Sequence, residues 1–270
     1  MRLPVRIFSD LHLGHKASRI ADVESLRPLF TGAGTVVFNG DTWEEFAEPW
    51  RERSLAMLEG LKRILKEEGC DTLFLRGNHD PGWDGRGWLE LGDGKIIVTH
   101  GDALLRYSSP WKHEILSDAE AVEEVWKKFP DAGTDIECRL AVAREIARRL
   151  PSLRYSEGQS LISRIIDAAF PPRRALAMLK AWTGQWVYGA EFCERYFPKA
   201  EILVIGHFHS SGLRTVRGRT IINLGSFVVP GKASWAEWNG ESLVFGNVRE
   251  SLNGCSMVPA KWTRKLFSSM

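Results

Sequence analysis

Sulfur chemistry is scarce in this chain. Its 270 residues include four cysteines, at 70, 138, 193 and 255, with no CxxC pair among them. That spacing argues against a thiolate zinc site and a disulfide framework, and predicts free thiols in a reducing compartment. No apolar run approaches the ~20 residues needed to span a bilayer, so any membrane contact would be peripheral. The amino terminus, MRLPVRIFSDLHLGH, enters a strand at once with no signal-peptide pattern, which predicts a cytoplasmic protein. Charge of one sign is lacking too: a net charge of +2 is too small to imply nucleic acid as a partner. Low-complexity segments and internal repeats are absent. With 44% hydrophobic and 26% charged residues, the composition is that of a folded domain and excludes disorder. The eleven tryptophans are assigned to packing.

Over the first hundred residues, strand and helix signals alternate. Short apolar runs at 5–9, 35–39, 72–75 and 95–99 each end in Gly, Asp, Asn or His, and a helical stripe covers 54–67. Strands separated by helices predict a largely parallel sheet, with the polar strand ends at the carboxyl edge where α/β sheets bind ligands. From about 105 to 197 the pattern turns helical, with helices expected over 119–129, 135–150, 158–170 and 173–182, punctuated by Pro130, Pro151, Pro171 and Pro172. Arg139, Arg144, Arg148, Arg149, Arg154, Arg164, Arg173 and Arg174 make this stretch locally basic, and a solvated face accounts for any one of them. Strand signals return at 201–205, 219–223, 234–238 and 242–248, the last two joined around Asn239–Gly240. The domain plan is a core of 1–104 and 198–250, a helical insertion of 105–197, and a segment 251–270 with no readable role.

Five of the seven histidines, His12, His79, His100, His207 and His209, fall in clusters at strand ends. A single buried His beside Asp is usually a satisfied hydrogen-bonding residue, but five such placements are hard to assign to packing. In Asp10–Leu11–His12 and His207–Phe208–His209, alternate residues of an extended segment share a face and can meet one ion. Asp41 follows a glycine that permits close approach, and its carboxylate can bridge two cations. Asn78 offers a carbonyl oxygen, and His100 an imidazole. A mixed oxygen and nitrogen donor set without thiolate suits Mn²⁺, Fe or Zn²⁺ better than Mg²⁺ or Ca²⁺.

Asp10-x-His12, Gly40–Asp41, Gly77–Asn78–His79–Asp80, His100 in HGD, and Gly206–His207-x-His209 occur in this order. In that order they resemble the calcineurin-like metallophosphoesterase family over residues 5–226, the helical insertion excepted. The resemblance implies a four-layer α-β-β-α sandwich with a helical cap and two divalent cations, Mn²⁺ foremost. One cation would take Asp10, His12, Asp41 and His209; the other would take Asp41, Asn78, His100 and His207. A water activated between cations ~3.5–4 Å apart would attack phosphorus. His79 would act as general acid, with Asp80 orienting it. Arg76 is noted as a phosphate contact, with an exposed turn residue as the plainer alternative.

Ser9–Gly14 (SDLHLG), Gly40–Glu44 (GDTWE) and the inserted helices are also similar to the branch around UDP-2,3-diacylglucosamine pyrophosphatase, an enzyme of lipid A synthesis. There a cap holds acyl chains. This chain departs from that branch at His79, where the lipid A enzyme carries Arg. Three functions are therefore weighed. The first is hydrolysis of a phosphodiester or pyrophosphate, with a UDP-sugar lipid-like substrate. The second is a phosphomonoesterase or nucleotide phosphatase, whose cap arginines would hold a polyphosphate. The third is a non-catalytic interaction scaffold, which predicts eroded ligands, and every expected ligand type is in place. An apolar cap groove over the metals, lined by Trp111, Trp126, Leu161, Ile165, Trp182 and Trp186, would favour an acylated substrate. A narrow basic pocket would favour a nucleotide, and the plainer reading makes those residues the cap's own core.

Overall fold

The computed structural model describes residues 1–83, 85–109, 118–149, 172–251 and 254–267, with the side chains of 172–174 left aside. Two sheets stack face to face. The larger runs β11 (Gly254–Met257), β10 (Ser242–Ser251), β9 (Ser234–Trp238), β1 (Val5–Phe8), β2 (Thr35–Asn39), β3 (Asp71–Leu75), with β12 (Trp262–Lys265) added against β10. β1, β2 and β3, the last at one edge of the sheet, are parallel. β9 (Ser234–Trp238) closes antiparallel on β1 and is followed by β10 (Ser242–Ser251). The smaller sheet runs β4-β5-β6-β8-β7, and there β5 (Ile96–Thr99), β6 (Ile202–Ile205) and β8 (Arg219–Asn223) are parallel.

Both faces of each sheet are covered, which is why the parallel strands are apolar on consecutive residues. Between the sheets, Val5, Ile7, Val37 and Leu75 meet Ile96, Val98, Val204 and Ile222. On the outer face of the larger sheet, Phe8, Val36 and Phe38 pack against a 3₁₀ segment (Val23–Leu29) and α1 (Glu48–Glu67). The α1 stripe of Leu58, Leu61, Ile64 and Leu65 follows the helical repeat. Each of these side chains contributes about 1.5–3 kcal/mol by leaving water. Pro49 in the first turn starts α1 two turns ahead of the expected residue 54, because proline suits a turn whose N–H groups have no helical partner. On the outer face of the smaller sheet, Ile97, Leu203, Ile205 and Ile221 pack against Ala181, Trp186 and Cys193. Those three belong to α4 (Pro172–Tyr196). The four layers expected from the sequence are therefore present.

α4 extends fourteen residues beyond the expected end at 182, and its carboxyl-terminal half is the outer layer over the smaller sheet. The expected insertion of 105–197 thus contains residues that pack as core. α2 (Ala119–Lys128) and α3 (Ile136–Arg149) have their own small core of Val122, Val125, Ala132, Val142 and Ile146. They join the main body where Leu140 and Ala143 meet Ala103 and Phe192. The helix expected at 158–170 lies outside the described residues. Four strands were not expected: β4 (Trp88–Leu91), β7 (Gly212–Val216), β11 (Gly254–Met257) and β12 (Trp262–Lys265). No described helix is long and apolar enough to cross a membrane.

Candidate metal centre

The polar strand ends of the sequence reading converge where the two sheets meet. β1 delivers Asp10 and His12, β2 delivers Asp41, and β3 delivers Asn78 and His79. From the second sheet, β5 delivers His100 and β6 delivers His207 and His209. The loops after β1 and β2 run side by side, with the Asp10 amide donating to the Gly40 carbonyl (3.1 Å) and the His12 amide to that of Asp41 (2.9 Å). The chain leaving β1, β2 and β6 turns into the left-handed region. Asp10 (φ 55°), His12 (47°), Asp41 (51°), His207 (64°) and His209 (52°) all sit there. Asp and His enter that region more readily than most residues, and ~1–3 kcal/mol of strain per position is typical where function demands it. Gly206 lets the strand ends close up, since a Cβ there would overlap Ser9 Oγ and Asp10 Oδ2.

Three sets of donors gather within 4.8 Å of one another: Asp10, His12 and His209; Asp41, His100 and His207; and His12, Glu44 and His79. Asp41 links them. Its Oδ1 accepts the His79 amide (2.8 Å). Its Oδ2 faces Nε2 of His100 (3.3 Å), His12 (3.7 Å) and His79 (4.0 Å). The Asp10 carboxylate accepts the His207 amide (3.1 and 3.0 Å) and lies 3.2 Å from His209 Nε2.

Backbone and side-chain partners fix which ring nitrogens face inward. His100 Nδ1 donates to the Asn39 carbonyl (2.9 Å), so neutral His100 turns a lone pair on Nε2 towards Asn78 Oδ1 (3.2 Å) and Asp41 Oδ2. His207 Nε2 donates to the Ser108 carbonyl (2.8 Å), which makes Nδ1 the nitrogen to meet an ion. His12 Nδ1 bonds Glu44 Oε1 (2.8 Å), and its Nε2 lies 3.3 Å from His209 Nε2. Acceptors facing acceptors repel unless a proton or a cation sits between them. Among the described residues the amide nitrogen of buried Asn78 has no hydrogen-bond partner, so only its oxygen is committed to the cluster. Donor chemistry and orientation both fit divalent cations.

The ionisation states carry the same signature. Burial lowers the His100 imidazole, but the Asp41 carboxylate outweighs it and pushes the group up to about 10. Burial works against charge on His12 too, yet Asp10 and Glu44 hold it well above the usual histidine range. Burial raises the Asp10, Asp41 and Glu44 carboxyls, and the surrounding imidazoles override it, holding all three well below theirs. His207 is driven well below its ordinary value by burial and by the charge of His100.

One assignment changes. Asp80 does not orient His79. Its buried carboxylate accepts the amides of Gly77 (2.8 Å), Asp41 (3.0 Å) and Thr42 (2.7 Å), pinning the loops that carry the candidate ligands. Burial and the nearby Asp41 charge raise it to about 6. The residue that holds His79 is Glu44, whose Oε2 bonds Nδ1 at 2.8 Å while Oε1 holds His12. Glu44 stood in the GDTWE motif without a role. Ser108, which orients His207 through a main-chain carbonyl, has no sequence signal at all. Arg76 is half-buried against the segment before β4, where a Cβ at Gly87 would lie 3.1 Å from its Nη2, and it is not among the converging donors.

In the cap, Trp126 is taken up by Arg106 and Arg139, each 4.7 Å from its ring. Trp186 is buried in the outer layer of the core and Trp182 is exposed. Trp111, Leu161 and Ile165 lie outside the described residues, as do Arg154 and Arg164 and the side chains of Arg173 and Arg174.

A family model described as calcineurin-like phosphoesterase matches residues 3–211. No curated protein sequence matches the chain. Among solved structures, a dimetal phosphatase from Danio rerio is 12% identical with a TM-score of 0.45, covering 90% of this chain and 95% of its own. The phosphoesterase Yfce of E. coli is 15% identical (TM-score 0.42, 90% and 91% covered). Vps29 of Chaetomium thermophilum is 10% identical (TM-score 0.44, 98% and 97% covered). Likenesses at this level carry no argument about what the chain does.

Proposed function

The chain belongs to the calcineurin-like phosphoesterase family, and from that premise we propose that it hydrolyses a phosphodiester or pyrophosphate bond with two divalent cations. Asp10, His12, Asp41 and His209 would hold one cation, and Asp41, Asn78, His100 and His207 the other. The observation that carries this is the single oxygen Asp41 Oδ2, which faces imidazoles of both sets. Mn²⁺ is the proposed metal, with Fe or Zn²⁺ also suited to a donor set free of thiolate. When bound, the cations supply Lewis acidity, lowering the pKa of water and neutralising charge on the phosphoryl oxygens.

The chain's own residues do the rest. Glu44 accepts a hydrogen bond from His79 Nδ1, which turns Nε2 towards the centre. His79 Nε2 can then give its proton to the departing oxygen, and its partial exposure leaves room for that group. Asp80 keeps the three loop amides from shifting as charge builds. For substrate we propose a phosphate-ester small molecule, with a UDP-sugar lipid-like compound of the lipid A branch favoured by the SDLHLG and GDTWE motifs and by the inserted helices. Four free cysteines support a reducing, cytoplasmic setting.

The test is hydrolysis of bis-(p-nitrophenyl) phosphate by the purified protein with Mn²⁺. Activity is expected in the wild type and is expected to vanish in Asp41→Ala. Undiminished turnover in that variant, or after thorough chelation, would sink the two-cation reading.

A further inference from the structure

Three arginines converge in the cap, and the acid in the same lining, Glu191, is held by Arg217. Arg139 of α3, Arg195 of α4 and Arg106 line one cavity of about 260 Å³ with Trp126, Tyr188 and Tyr196. Arg139 is 5% exposed. Its Nη2 donates to the Leu105 carbonyl (2.7 Å), its Nη1 is buried with no acceptor, and no carboxylate lies within 4.0 Å among the described residues. Burial lowers its pKa to about 10, and the charges of Arg106 and Arg195 push the same way, against partial offset from Tyr196 and Asp102.

The acids nearby are already engaged. Glu123 takes Arg106 (2.7 Å), and Glu191, which also lines the cavity, takes Arg217 (3.1 Å). Arg195 and the Tyr188 hydroxyl make no hydrogen bond or ion pair among the described residues. Asp102 offsets the Arg139 charge only from a distance; a buried cation with no carboxylate in contact is costly, and repulsion from two neighbours adds to that cost. A bound anion would remove both penalties.

We propose that this cavity binds a small oxyanion, the phosphoryl group of inorganic phosphate or of a small organic phosphate, at a site separate from the metal centre. The guanidinium fork suits a tetrahedral oxyanion, and a volume below the ~300–1,000 Å³ of drug-sized pockets restricts the ligand to a small one. The cavity wall includes Ala103 and Leu104, directly after His100–Gly101–Asp102. The occupied site would thus brace the segment that leaves β5.

Calorimetric titration with inorganic phosphate, and separately with glycerol 3-phosphate, tests this in chelated Asp41→Ala protein, which cannot hold phosphate through bound cations. Saturable millimolar or tighter binding is expected. Arg195→Ala, at an exposed position, is expected to weaken it about tenfold, and Arg195→Lys less, because lysine keeps the charge and loses the fork. Tighter binding of glycerol 3-phosphate would assign the site to an organic phosphate, and equal binding to the free anion. Either supports the site. Binding seen only in metal-loaded wild type, no saturable binding of either probe, or binding that Arg195→Ala leaves unchanged would overturn it. Failure of the Mn²⁺ hydrolysis assay would leave this inference standing.

Discussion

Glu44→Gln separates the two duties of one carboxylate. In the wild type each oxygen accepts an Nδ1 proton, from His12 and from His79, at 2.8 Å. Glutamine has one acceptor and one donor, so one ring loses its partner. If the amide oxygen stays with His12, that ring still presents an Nε2 lone pair to a cation. His79 would then face an N–H at Nδ1 in place of an acceptor, so the ring is no longer held with Nε2 aimed at the departing oxygen. Each charge-assisted bond to Glu44 is worth about 1.5–3 kcal/mol, and positioned acid catalysis typically contributes ~10²–10⁴-fold. Turnover of an ester with an alkoxide leaving group should fall about 10²–10³-fold. Esters of p-nitrophenol, which departs without protonation, should lose much less, and metal content at saturating Mn²⁺ should persist. Rates for a series of leaving groups measure this directly. Equal losses across the series would refute the assignment, because a merely loosened fold would slow every substrate alike.

Other outcomes follow from the same geometry. His79→Ala is expected to keep its metal, read by elemental analysis, while losing turnover; metal loss equal to that of His207→Ala would mean His79 is a ligand. Gly206→Ala should destabilise the chain by about 1–3 kcal/mol in a denaturant titration, since its Cβ would overlap Ser9 and Asp10, and wild-type stability would contradict the packing. Mn²⁺ affinity should climb with pH. His100 holds a proton up to about 10 in the metal-free protein, so binding must expel it, and affinity gains up to about tenfold per pH unit for that group below this value. In the same metal-free state, the stabilisation from charged His100 is full below 6.5, the ordinary histidine value, and fades as pH rises through 10. Calorimetry in buffers of different ionisation enthalpy reads the proton release, and a pH-independent affinity would contradict it.

The central strands were legible because burial on both faces leaves an unbroken apolar run, as at 35–39, and because each run ends in a ligand type. Edge strands were not. β7 reads GLRTV with two exposed positions, and β12 alternates half-buried with exposed residues, so neither shows a core-facing pattern. α4 outran its expected end because Gly184 and Gly189 lower helical propensity, while Trp186 and Cys193 repay it by packing on the sheet. At the site, the side chains that converge were readable from spacing. What holds those side chains was not. Glu44 acquires its place only when Ser54 Oγ accepts its amide (2.9 Å) and draws the loop inward. Asp80 sits beside His79 in sequence, yet its side chain turns towards amides from another strand end.

The bond from His207 to the Ser108 carbonyl has a mechanical consequence. The ring of one candidate ligand is oriented by the first stretch of chain that leaves the core for the inserted helices. Residues up to Ser108 must therefore travel with the metal centre, and any swing of α2 and α3 relative to the sheets has to be absorbed further along. The pivot of the insertion is set by a histidine on the opposite side of it in the chain, so a change in the length of the chain before Ser108 would be felt at His207, about a hundred residues away.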